Sequence, residues 1–244
     1  MRAHSPVEAV GIVLPVHNEE HLLPHALEAI GRAAARLPSG VQCLTVIVLD
    51  ACSDASGHIA DQWAKDGWTL IVPCAGGNVG AARRIGCEAI LQTWQHLDPD
   101  ALWLATTDAD SQVPEDWLVA QLDARSEGAD MWTGRVDVTD WSAHRRSTSI
   151  RWANQYQNEA APIHGASLGL TALAYRRAGG FQALATGEDR ALYRSARDTG
   201  ARIHHDQVVK VLTSARRDAR APLGFAHALT STEALESNDA AIAH

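Results

Sequence analysis

The first half of the chain alternates between short apolar runs and amphipathic stretches. Val10-Gly11-Ile12-Val13-Leu14-Pro15-Val16 has the unbroken apolar character of a strand buried on both faces. A polar turn, His17-Asn18-Glu19-Glu20, separates it from Leu22, Leu23, Leu27, Ile30 and Ala34, which recur at helical spacing. Leu44 to Leu49 repeats the strand pattern and ends at Asp50. Ser53 or Asp54 is placed to cap a following helix, with Ile59, Ala60 and Trp63 on one face. Thr69–Val72 reads as a third strand, and Gly76-Gly77-Asn78 opens a long helix to about His96. A fourth strand, Ala101–Thr107, delivers Asp108 and Asp110 at its C-terminal end.

A β-α-β-α-β-α-β order predicts a Rossmann-like, mostly parallel sheet with right-handed crossovers. Such sheets bind ligands beyond the carboxyl ends of their strands, where both Asp50 and Asp108-Ala109-Asp110 fall. The second half is less regular. Helices are expected over Pro114–Ser126, Arg151–Ala160 and Thr186–Thr199, and strands over Asp130–Thr139 and Arg202–Leu212. No linker interrupts the chain, so the reading is one domain over residues 1–230. Its lobes are about 8–110 and about 111–230, and a small, polar, mobile tail covers 231–244.

Composition narrows the classes of function. The 244 residues are 46% hydrophobic and 20% charged, which is ordinary for a globular protein. A net charge of −8 and the lack of a basic block argue against nucleic acid as a partner. No apolar run approaches the roughly 20 residues that span a bilayer. The N-terminus lacks a signal-peptide core, and the four dispersed cysteines form no CxxC pair. A soluble, cytoplasmic protein with reduced thiols is the expectation.

Asp108 and Asp110, one residue apart at a strand end, can present oxygens to a hard divalent cation. Mg²⁺ or Mn²⁺ would complete its shell with phosphate oxygens and water. The tripeptide alone fits equally a turn whose carboxylates cap the next helix. Its surroundings are more specific. The strand ending Leu14-Pro15-Val16-His17-Asn18-Glu19-Glu20, the loop Asp50-Ala51-Cys52-Ser53-Asp54, the segment Asn78-Val79-Gly80-Ala81-Ala82-Arg83-Arg84-Ile85-Gly86 and the pair Glu188-Asp189 agree in order and spacing with one family. Over roughly residues 8–220 the chain resembles the family-2 glycosyltransferases of the GT-A fold.

That resemblance implies an inverting, non-processive transfer of a sugar from a UDP- or GDP-sugar to a hydroxyl of a small or lipid-linked acceptor. Pro15, His17, Glu19, Asp50 and Arg83 would contact the nucleotide sugar. Asp108 and Asp110 would hold Mn²⁺ or Mg²⁺ and the diphosphate, with Arg216 or Arg217 near the phosphates. Asp189 would remove the acceptor proton, with Glu188 as the near alternative. His164, Gly165 and Ser167 would border the acceptor, in a second, smaller mixed lobe.

This chain departs from the family pattern at three places. Ala51 and Cys52 replace Gly and Ser, Arg84 replaces Asn, and Ser167 stands where Asn is common. His204 and His205 alternate faces on a strand, so at most one could join a metal. His21 and His25 are expected to face solvent. Trp132, Trp141 and Trp152 suit either a sugar face or the core, with the core preferred. A sugar nucleotidyltransferase would carry a Gly-rich basic loop after the first strand, where this chain has Pro15-Val16-His17-Asn18-Glu19. A dinucleotide oxidoreductase would need GxGxxG there. A non-catalytic sugar-nucleotide-binding scaffold is the remaining alternative, against which Asp108, Asp110 and Asp189 speak.

Overall fold

The computed structural model describes residues 5–138, 141, 146–150 and 163–214. The helix expected over Arg151–Ala160, Trp152, the Arg216-Arg217 pair and the tail 231–244 lie outside the described residues.

The parallel half follows the hydrophobic pattern closely. Strand β1 (Ala9–Val16) lies between β2 (Gln42–Asp50) and β4 (Leu102–Thr106), and β3 (Thr69–Cys74) forms the edge beyond β2. All these pairs are parallel, and helices α1 (Leu23–Ala34), α2 (Ser56–Trp63) and α3 (Val79–Thr93) make the crossovers. Every residue of β1 is buried, as a strand with helices on both faces must be. Val10, Ile12, Leu14 and Val16 point into one core with Leu23, Leu27 and Ile30 of α1. Ala9 and Val13 point into the other, with Ala82, Cys87 and Ile90 of α3.

The sheet then continues in mixed sense. Its order is β3-β2-β1-β4-β7-β6-β8-β5, where β5 is Ser111–Gln112, β6 Met131–Val138, β7 Leu168–Thr171 and β8 Ile203–Thr213. β7 runs antiparallel to both β4 and β6, β8 runs parallel to β6, and β5 pairs antiparallel with β8. Helices α4 (Trp117–Ser126), α5 (Ala172–Arg177) and α6 (Glu188–Asp198) flank this part of the sheet in sequence, and residues 146–150 are also helical.

Six elements differ from the sequence expectation. β5, β7 and α5 are too short to carry a period, so tertiary pairing alone makes them visible. Neither Ser53 nor Asp54 is the N-cap of α2. That position is Ala55, and the Asp54 carboxylate instead accepts from the Ser56 amide at 3.0 Å, within the first turn. Helices α4 and α6 begin at Trp117 and Glu188, later than Pro114 and Thr186, because residues 115–116 form a turn and the N-cap Gly187 is left-handed with φ 75°.

Candidate active site

The site forms where the carboxyl ends of β1, β2 and β4 meet the N-termini of α3 and α6. On the β1–β2 side, polar loops lace together. The Asn18 side chain accepts from the Ser53 amide at 2.7 Å, Glu20 accepts from the Ala55 amide at 2.8 Å, and the Glu19 amide donates to Ser56 Oγ at 2.8 Å. Both Asn18 and Ala51 have left-handed backbone, with φ of 55° and 48°. The expected Gly is therefore missing at a position whose conformation favours it. Pro15 is buried in β1, Glu19 is buried in the loop, and His17 is exposed. His17 Nδ1 lies 2.6 Å from the Asp50 carbonyl, which can only accept, so Nδ1 carries the proton.

Asp50 is buried, and its two carboxylate oxygens accept from the Gly77 and Asn78 amides at 2.7 and 2.8 Å. This carboxylate thus fixes the turn that opens α3. A carboxylate has about four lone-pair sites, so capacity for a nucleobase donor is left.

The centre of the site is Arg83. It lies on α3 with its side chain 3% exposed, and its guanidinium donates to Asp108 Oδ1 with one nitrogen and to Glu188 Oε1 with another. Phe181 stacks its ring 5.9 Å from the same group, and Gly165 leaves no room for a side chain against it. The fork geometry of arginine lets one buried cation hold two carboxylates from distant parts of the chain. Arg84, by contrast, is exposed beside Glu88 on the outer face of α3.

Asp189 follows Glu188 in the first turn of α6 but faces a different partner. Its Oδ2 accepts from the Gly165 amide at 2.9 Å, and its Oδ1 from the Arg190 amide at 2.6 Å. The Gly165 carbonyl is held in turn by Thr106 Oγ1 at 2.6 Å, at the end of β4. His164 adjoins this pair. Burial pulls its imidazole down to about 4, against an opposing pull from Asp189, and Arg190 and Arg135 lower it further. Ser167 is fully buried, packed beside Gly134 and Trp132 in the interior. Trp132 is core, while Trp141 is half-buried.

Asp108 and Asp110 are each partly exposed at the end of β4. Their hard oxygen donors fit a divalent cation of the Mg²⁺ or Mn²⁺ type. Among the described residues no third His, Cys, Asp or Glu gathers with them, so the other ligand positions suit phosphate oxygens and water. His205 is engaged elsewhere: its Nδ1 lies 2.9 Å from Thr133 Oγ1, and Tyr193 Oη approaches Nε2 at 3.4 Å. His21 and His25 are exposed on and before α1.

Sequence reasoning did not foresee that Arg83 joins Asp108 to Glu188, nor that residues 182–184 dock on α3. The three-residue step between Gly80 and Arg83 was the available signal, since it puts both on one side of α3.

The model of glycosyl transferase family 2 matches residues 11–179. The chain belongs to that family. Among curated relatives, undecaprenyl-phosphate 4-deoxy-4-formamido-L-arabinose transferase of Klebsiella pneumoniae strain 342 is 29% identical over 179 residues, covering 72% of this chain and 51% of the relative. The protein of the same description from Aeromonas hydrophila is 26% identical, covering 71% and 51%. The chain therefore spans about half the length of these relatives.

Solved structures agree on the fold. Staphylococcus aureus TarS 1–349 in complex with UDP-GlcNAc superposes with a TM-score of 0.66 at 14% identity, covering 88% of this chain and 61% of that one. The Pyrobaculum calidifontis mannosyltransferase PcManGT, in complex with GDP-Man and Mn²⁺, gives 0.59 at 20% identity, covering 92% and 60%. The α/β fold with its mixed, mostly parallel sheet is thus that of GT-A proteins. Among the described residues no helix is long and apolar enough to cross a membrane.

Proposed function

We propose that this family-2 glycosyltransferase moves a sugar from a nucleotide-sugar donor to an acceptor hydroxyl with inversion, in one displacement. The observation that carries this reading is the buried Arg83 bridge, which brings donor-side Asp108 and acceptor-side Glu188 to one guanidinium. The nucleotide would lie against His17, Glu19 and the Asp50 loop. Asp108 and Asp110 would hold Mn²⁺ or Mg²⁺ together with the diphosphate. Such a cation, when bound, offsets the negative charge that grows on the leaving nucleoside diphosphate.

The two acids of α6 then divide their roles by environment. Glu188 is buried and paired with Arg83, which suits a positioning role. Asp189 is more open and borders Gly165 and His164. It would take the acceptor proton as that oxygen attacks the anomeric carbon and the bond to the diphosphate breaks. No enzyme nucleophile is required. The relatives' undecaprenyl-phosphate description supports a lipid-linked acceptor.

A thermal-shift screen of UDP-, GDP- and TDP-sugars, with and without Mn²⁺, tests the reading directly. One nucleotide class should raise the melting temperature by ligand linkage. Asp110→Ala should remove the Mn²⁺-dependent part of that rise. Asp189→Asn should keep it while turnover falls about 10²-fold or more. No response to any nucleotide sugar would favour a different ligand for the fold.

A further inference from the structure

Glycine inside a helix is about 1 kcal/mol worse than alanine, yet the second residue of α3 is Gly80. Its φ is not positive, so no turn calls for glycine there. The reason lies outside the helix. A Cβ on Gly80 would stand 2.1 Å from the Gln182 carbonyl oxygen and 2.8 Å from both the Leu184 amide nitrogen and its carbonyl oxygen. These contacts are backbone, which cannot rotate aside.

Residues 182–184 are exposed and lie directly on the first turn of α3. The Gly80 amide donates to the Leu184 carbonyl at 3.1 Å. Asn78 caps the helix by accepting from the Ala81 amide at 3.0 Å, and its Nδ2 donates to the Ala183 carbonyl at 3.1 Å. Asp50 anchors the other side of Asn78 through its amide. Four residues beyond Leu184 come Glu188 and Asp189, the first of which pairs with Arg83 on the same helix. Hydrogen bonds thus tie the Asp50 loop and the first turn of α3 to residues 183–184, and a short stretch of chain leads from there to Glu188 and Asp189.

We infer that Asn78 and Gly80 are positioning residues for the Glu188–Asp189 pair, acting by docking segment 182–184 on the N-terminus of α3. The inference rests on the reading of Asp189 as the base. Residues 182–185 are exposed and gain little from packing, so these two bonds join buried Phe181 and the Arg83–Glu188 pair in setting where α6 begins.

Two variants separate positioning from helix stability. Gly80→Ala improves helix propensity but expels the segment. Asn78→Ser keeps a neutral N-cap of similar quality and removes only the donated bond to Ala183. For both, amide exchange in a peptide spanning 187–198 should quicken by about tenfold while the melting temperature holds. Hydrolysis of UDP-GlcNAc and GDP-mannose, with water as acceptor, should fall about 10- to 10²-fold in kcat. The donor KM should stay within about twofold. Wild-type exchange in both variants would overturn the inference, as would wild-type kcat alongside an inactive Asp189→Asn control. A fully active Asp189→Asn would instead overturn the reading of the base, leaving the exchange measurement to judge the docking.

Discussion

At the residue scale, His164 gives a pH-dependent prediction whose sign is fixed by burial. Its folded value is about 4, against an ordinary value of 6.5. Between those limits the unfolded chain binds a proton that the folded chain refuses, so stability falls as pH drops from about 6.5 towards 4. Above 6.5 the residue contributes no slope. Melting curves of wild type and His164→Gln should therefore run parallel at neutral pH and converge or cross in acid. Ala51 supplies a second test: its φ of 48° is strained for a residue with a Cβ. Ala51→Gly should stabilise the fold by about 1 kcal/mol, read by denaturant titration. This strain is a case where sequence spoke first, because the resemblance puts glycine at that position. The resemblance placed Arg83 against the nucleotide sugar, but its bridge was illegible, since no local pattern says which carboxylates will face a buried cation. Arg83→Met should cost about 3–5 kcal/mol, because Glu188, with its side chain 5% exposed, is left without its counter-charge.

Elements were legible where a period had room to repeat. β1, β2 and α1 are long and strongly patterned, and their observed bounds lie within a few residues of the expected ones. β7 has only four residues, and it is a strand because β4 and β6 offer partners on both sides. How closely α3 packs on the sheet was equally hidden, and it depends on Gly86. A Cβ there would stand 2.5 Å from a Val13 methyl and 3.0 Å from one of Val48. Gly86→Val should lower stability by about 1–3 kcal/mol through overpacking. Gly31, on α1, meets nothing nearer than the Trp63 ring at 4.0 Å. Gly31→Ala should instead stabilise by up to about 1 kcal/mol from helix propensity alone. The contrast separates helix propensity from sheet contact within one pair of melting curves, and equal effects in both variants would sink the packing account.

For the whole molecule, the question is whether the parallel half and the mixed half of the sheet fold as one unit. Both cores cross the boundary between the halves. On one face, Val10, Ile12 and Leu14 of β1 share a cluster with Trp117, Trp132 and Val211; on the other, Val13 and Val46 share one with Leu168, Phe181 and Leu192. Trp103 of β4 donates to Gln121 of α4 at 2.8 Å across that boundary, and β4 pairs directly with β7. Loss of packing in either half would thus expose apolar surface of the other. We therefore expect calorimetry to show one unfolding transition with matching calorimetric and van't Hoff enthalpies. A bound nucleotide sugar should shift that whole transition, although its proposed contacts lie mainly on the β1–β4 side. A split endotherm, in which ligand moves only one peak, would show that the lobes are separate domains. In that case the Arg83 bridge would be an interface between them.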